Sequence, residues 1–139
     1  MNKLVAAVAL LSTVAVAQTY TLTPFGASCG GALQGQVVSL PAGHGLRLGL
    51  LSNTPNAIAV LVLGHQATTP QPLPGGNCLL LVDPRATQLT LTDAQGRAHW
   101  NQRIPPVLPI TFDIQAATLT LSPTGRVAAT SNGLRLDGV

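Results

Sequence analysis

Apolar and polar residues alternate along this chain in short runs that recur at roughly ten-residue intervals, separated by clusters of Gly, Pro, Asn and Asp. Beyond the first few residues no segment holds helical spacing of apolar positions over three turns. A period of two places alternate side chains on opposite faces of a strand, so the pattern predicts an all-β fold. The expected architecture is a single antiparallel β-sandwich, jelly-roll or Ig-like, of about eight strands.

Tyr20–Thr23 opens the series, with Tyr20 and Leu22 on one face, and Pro24 ends it. Gln34–Leu40 follows. In Gly45–Ser52, Leu46, Leu48 and Leu50 should enter the core while Arg47 points to solvent. Ala57–Leu63 is apolar on both faces, which predicts a central strand covered on both sides. From His65 to Asn77, three prolines (Pro70, Pro72 and Pro74) and Gly75-Gly76 predict a long surface loop of partly polyproline character. The sheet is expected to resume at Cys78–Val82, turn at Asp83-Pro84 and continue over Thr87–Thr92. Asp93-Ala94-Gln95-Gly96 has the composition of a type I turn. Arg97–Ile104 should point Trp100 inward. Ile110, Phe112 and Ile114 mark another core face, Leu119 and Leu121 a further strand, and Asn132-Gly133 a hairpin turn.

The first seventeen residues change the picture. Lys3 supplies a positive start, Leu4–Leu11 an apolar stretch, and Ala15-Val16-Ala17 a small-x-small cleavage pattern, as in a secretory signal peptide. The stretch is interrupted by Ser12 and Thr13 and falls short of the roughly 20 apolar residues a spanning helix needs. Residues 1–17 are therefore expected to be removed, leaving an exported β-sandwich domain of residues 18–139 with no membrane span. At about 120 residues, that domain is long enough to bury one substantial core.

Ionisable groups are scarce. After residue 17 there are six Arg, no Lys, no Glu and four Asp (Asp83, Asp93, Asp113 and Asp137). So dilute a positive charge does not form the clustered basic face that nucleic acid requires. A surface of Thr, Gln, Asn and Gly suits close association with other neutral surfaces, or a glycan coat. Thr68-Thr69-Pro70 is a candidate O-glycosylation stretch, with Thr68 and Thr69 as acceptors.

The two cysteines, Cys29 and Cys78, make an even pair in an exported chain and are expected to form a disulfide. His44, His65 and His99 have no short metal-ligand spacing, and the aspartates are scattered. Glycan hydrolysis uses paired carboxylates, which single aspartates near turns or within strands do not suggest. No Gly-x-Ser-x-Gly elbow is present. Neither a cofactor nor an enzymatic activity is expected. Of the four aromatic residues, Tyr20, Phe25, Trp100 and Phe112, the last two read as core, which leaves little for a carbohydrate-stacking platform.

The chain carries Phe25-Gly26-x-x-Cys29, Ser52-Asn53-x-Pro55-Asn56, Val60-Leu61-Val62-Leu63-Gly64, Asn77-Cys78 and Ser131-Asn132-Gly133-Leu134-Arg135-Leu136. In these motifs the chain resembles the small secreted β-sandwich domains of planctomycete and myxobacterial type, which often stand at the C-terminus of large exported proteins. The resemblance spans nearly all of residues 18–139. It implies a fold but no chemistry, since the motifs are turn and core residues.

Two functions are consistent with these features. The first is an exported structural subunit that assembles with copies of itself into a fibre or surface layer. Its N-terminal strand, residues 18–23, would add to a neighbour's sheet through Tyr20 and Leu22. The alternative is a glycan-binding or adhesive module.

Overall fold

The computed structural model describes residues 19–74, 78–120 and 126–139. The expected signal peptide, residues 1–17, lies outside them, as do Gln18 and Leu121. Nine strands are present among the described residues: β1 (Tyr20–Phe25), β2 (Gly31–Leu40), β3 (Gly43–Ser52), β4 (Ile58–Pro72), β5 (Leu79–Leu91), β6 (Arg97–Arg103), β7 (Ile110–Leu119), β8 (Val127–Thr130) and β9 (Gly133–Gly138). They form two antiparallel sheets facing each other as a β-sandwich. One has six strands, in the order β1-β9-β7-β4-β5 with β8 also on β7; the other has three, in the order β2-β3-β6.

The core lies between the sheets, where the alternating leucines place it. Leu46, Leu48 and Leu50 of β3 are each at most 3% exposed, and Ala59, Leu61, Ile114, Ala116 and Leu136 face them from the larger sheet. Trp100 of β6 is inward, as its alternation predicts. Each buried leucine contributes about 2 kcal/mol through loss of apolar surface to water.

Three expectations fail for identifiable reasons. His65–Asn77 is not one long loop: β4 runs on through Pro72, with register shifts at Leu63/Gly64 and between Gln66 and Gln71. Asp83-Pro84 is not a turn but part of the 13-residue strand β5. Prolines are tolerated in this hairpin because β5 is an edge strand and the register shifts leave residues without ladder bonds. Asn132-Gly133 makes no hairpin. β8 and β9 both pair with β7, one beyond the other, and Ser131 bridges the gap by donating its amide to the Ala116 carbonyl (2.8 Å) while its Oγ accepts the Ala116 amide (2.9 Å). Leu119 correspondingly ends β7 instead of starting a further strand.

Asn132 is committed across the sandwich. Its Oδ1 accepts the Leu33 amide (3.0 Å) and its Nδ2 donates to the Leu33 carbonyl (3.3 Å), so one carboxamide occupies both backbone groups of β2 at that position.

The β4–β5 hairpin departs furthest from a simple sandwich. Only Ile58–Gly64 of β4 pair with β7; the rest of the hairpin leaves the sheet and folds across its outer face. The Leu81 amide of β5 donates to Gln115 Oε1 of β7 (2.7 Å), although Gln115 lies on the face opposite core-facing Ile114 and Ala116. Leu81 also reaches Gly26, just past the end of β1, and the Cys29–Cys78 disulfide fastens the hairpin end to the segment that follows (S–S 2.05 Å). Cys78, Leu81 and Val82 of the arm are buried.

The bend requires Gly64, because a Cβ there would collide with the Asp83 carbonyl oxygen, a backbone atom that cannot swing away. Gly64→Ala is expected to destabilise the protein by about 2 kcal/mol or more, measured by urea unfolding. The disulfide closes a loop with a sequence separation of 49 residues. Its reduction is expected to cost about 4 kcal/mol by the loop-entropy relation, and hydrogen exchange should show the arm amides of Leu79–Val82 opening first.

Candidate functional site: a sheet edge and a basic groove

The residues singled out from sequence are not brought together. Cys29 and Cys78 form the disulfide. Tyr20 and Leu22 are half-buried against their own core, and β1 pairs with β9 of the same chain from Tyr20↔Gly138 to Phe25↔Gly133. The Tyr20 ring lies 4.8 Å from the His44 ring. Thr68 and Thr69 are exposed in the irregular stretch of the arm, lining a cleft of about 460 Å³ with Gln66, Gln71, Leu80 and Asp83. Among the described residues no three His, Cys, Asp or Glu side chains converge as a metal site. No helix of the described residues is long and apolar enough to cross a membrane.

One buried ionic cluster had no signal in the sequence. Asp113, with its side chain 2% exposed, sits opposite Arg135 in the β7–β9 register. Its Oδ1 accepts Arg135 Nε (2.9 Å), and its Oδ2 accepts Arg135 Nη2 (3.3 Å) and the Gln66 amide (2.6 Å). The hydrogen bond that Arg135 donates to Asp113, then the charge of that carboxylate, raises the Arg135 pKa. The guanidinium also lies 5.8 Å from the Phe25 ring centre and donates to Gln66 Oε1. Every contact of this carboxylate joins β7, β9 and the arm, so its work is structural. Asp113→Ala is expected to cost about 3 kcal/mol by orphaning the Gln66 amide and the guanidinium, whereas Asp83→Ala, at an exposed pair 3.9 Å apart, should cost less than about 0.5 kcal/mol. Chemical denaturation of both variants provides the comparison.

Where the arm does not cover it, the larger sheet is bare. Ile58 and Val60 lie opposite Leu91 and Leu89 on the outer face, and the two leucines are 65% and 70% exposed. β5 is also an open edge. The Thr92 amide donates to the Ala57 carbonyl (2.8 Å), so by antiparallel alternation Thr90 and Gln88 turn their peptide groups toward β4. Thr87, Leu89 and Leu91 turn theirs outward. From Ala86 to Thr92 this edge carries no charge.

The edges of β1, β2 and β6 are defended. The pairing of Thr19 with Val139 makes Tyr20, Leu22 and Pro24 outward-facing on β1, and Pro24 has no amide to offer. Asn132 occupies Leu33 on β2. β6 carries Arg97 at one end and Arg103 at the other, and charged side chains discourage edge pairing. Next to β6, the Asp93 carboxyl accepts the Arg97 and Gln95 amides, and the bond from Arg97 holds its pKa below the ordinary carboxylate range.

Beside β5 the two sheets part and leave a groove of about 300 Å³. Leu63, Ala86, Pro105 and Phe112 form its apolar floor, with Arg85, Arg103, His65 and Gln102 around it. A hydrogen bond from Gln102 to Gln88 joins the sheets at its margin. Sequence alone could not assemble it, because its residues come from four strands and the segment after β6.

No protein-family model matches this chain, and no curated protein and no solved structure matches it.

Proposed function

We propose that this protein is an exported, non-enzymatic structural subunit that associates with copies of itself through its sheet edges into an extracellular fibre or surface layer. The single observation that carries the reading is the neutral, apolar and unpaired edge of β5, with Leu89 and Leu91 largely exposed beside Ile58 and Val60. Such an edge is a template for another strand, and soluble proteins ordinarily blunt it. Antiparallel pairing of two β5 strands about Leu89 would bring the outward peptide groups of Thr87, Leu89 and Leu91 into register and place the leucine pairs side by side. This isologous contact closes a dimer, so growth needs a second contact. Exchange of β1 between neighbours supplies one. Tyr20 and Leu22 would keep the same partners in a neighbouring copy, with Gly26–Ser28 as the hinge. The signal-peptide pattern of residues 1–17 and the disulfide support export.

Glycan binding is a second reading, favoured by one specific observation, the groove beside β5 with Phe112 and Pro105 among its lining residues.

Sedimentation of the secreted protein against Leu89→Pro and Leu89→Lys tests the first contact. Proline at Leu89 removes an outward amide while sparing the β4 ladder, so both variants are expected to lower self-association at least tenfold with little change in melting temperature. A wild type that stays monomeric at every concentration overturns the assembly reading. For β1, cysteines at the paired positions Thr21 and Asp137 joined by a short thiol crosslinker distinguish the arrangements. Strand exchange gives a ladder of linked chains on a denaturing gel, and pairing within the chain gives one band.

A further inference from the structure

We propose that the open edge of β5 is self-complementary and selects a second copy of this chain in one register, set by two reciprocal ion pairs between Arg85 of one copy and Asp93 of the other. The inference rests on the assembly reading and adds what chooses the partner and fixes the alignment. The uncharged stretch Ala86–Thr92 is bounded by Arg85 at one end and Asp93 at the other, each four residues from Leu89. Antiparallel pairing about a two-fold axis at Leu89 therefore brings opposite charges together at both ends of the contact. Opposed residues in such a ladder must turn their peptide groups in the same sense, so the register slips only in steps of two. One such step sets Asp83 against Asp93, and like charges directly opposite are destabilising. The opposite step carries Arg85 past Asp93 to Gln95.

Both charges are available. Arg85 has only the exposed Asp83 nearby, at 3.9 Å, a distance and exposure at which an ion pair is weak. The β4 register passes over Arg85, from Leu63↔Ala86 to Gly64↔Pro84, so it stands outside the ladder where the arm bends away. Asp93 is exposed but positioned: its Oδ1 accepts the Gln95 and Arg97 amides (2.9 Å each), which leaves Oδ2 for a donor from a neighbour. The bond from the Arg97 amide also lowers its pKa and so keeps the carboxyl ionised. A guanidinium on a long side chain meets a fixed carboxylate with paired donors. Exposed pairs of this kind add little affinity, and Leu89 and Leu91 supply most of it. The charges decide the alignment and disfavour a strand that lacks the matching pair.

The test is a charge exchange in the secreted protein, followed by analytical ultracentrifugation. Arg85→Asp and Asp93→Arg should each weaken self-association about tenfold or more, because both ion pairs become repulsive. An equimolar mixture of the two should associate as the wild type does, since each copy then meets the opposite charge at both ends. Asp93→Arg gives up the turn bonds to Gln95 and Arg97, so Asp93→Asn, which keeps a carbonyl oxygen for them, is also mixed with Arg85→Asp. One ion pair is then restored, and association should exceed that of Arg85→Asp alone. Asp83→Ala should leave association unchanged. Undiminished association of folded Arg85→Asp overturns the proposal, as do mixtures no tighter than their components. Weakening by Asp83→Ala overturns it too, by marking a register in which Asp83 opposes Arg97. Association that Leu89→Lys lowers and the charge exchange does not touch removes this register and leaves the assembly reading standing, whereas a wild type that stays monomeric removes both.

Discussion

The close approach of Gly64 to the Asp83 carbonyl is the constraint on which the outer half of this molecule depends. It allows the β4–β5 hairpin to leave its sheet and lie back across it, turning an ordinary sandwich into one with a partial third layer. The arm brings few large apolar residues with it. It is held by directional contacts instead: Gln115 to both sides of the Leu81 and Leu79 backbone, Asp113 to Gln66, and the disulfide at the far end. Polar groups buried in this way stabilise only when each has its partner, and here they do, which fixes one position of the arm across the sheet.

The same bend divides the larger sheet into two surfaces. Under the arm, Val62, Asp113 and Gln115 are buried although they lie on the outer face. Beyond it, Leu89 and Leu91 are exposed and Ile58 and Val60 are only half-buried. A strand that starts as half of a covered arm thus ends as an undefended edge. The contrast with the edges of β1, β2 and β6, each given a proline, a side-chain cap or charges, singles out β5 as an edge without such a defence. The parting of the sheets beside β5 also leaves a groove lined by Leu63, Ala86, Pro105 and Phe112.

Much of the fold was legible because burial and strand geometry share a period of two. Leu46, Leu48 and Leu50 announce a core face without knowing what covers it, and Trp100 announces its side in the same way. Local turn chemistry was less reliable. Pro70, Pro72 and Asp83-Pro84 read as breaks because proline removes a ladder donor, but on an edge strand with register shifts no bond need be lost. Asn132-Gly133 reads as a hairpin because both residues accept turn geometry, yet the Asn132 carboxamide is spent on Leu33, distant in sequence. Ala57–Leu63 is apolar on both faces, but only part of its outer face is covered, since the arm crosses at one end.

By itself, the sequence determined the all-β class, the core-facing residues of most strands and the cysteine pair. Each follows from composition or from a spacing shorter than ten residues, over which geometry is set by the backbone. Tertiary structure alone decided the partners: Asp113 with Arg135, Gln115 with the arm, and Asn132 with Leu33. These pairings join positions far apart in the chain, where the path of the hairpin and the order of strands choose the neighbours and no local pattern records the choice.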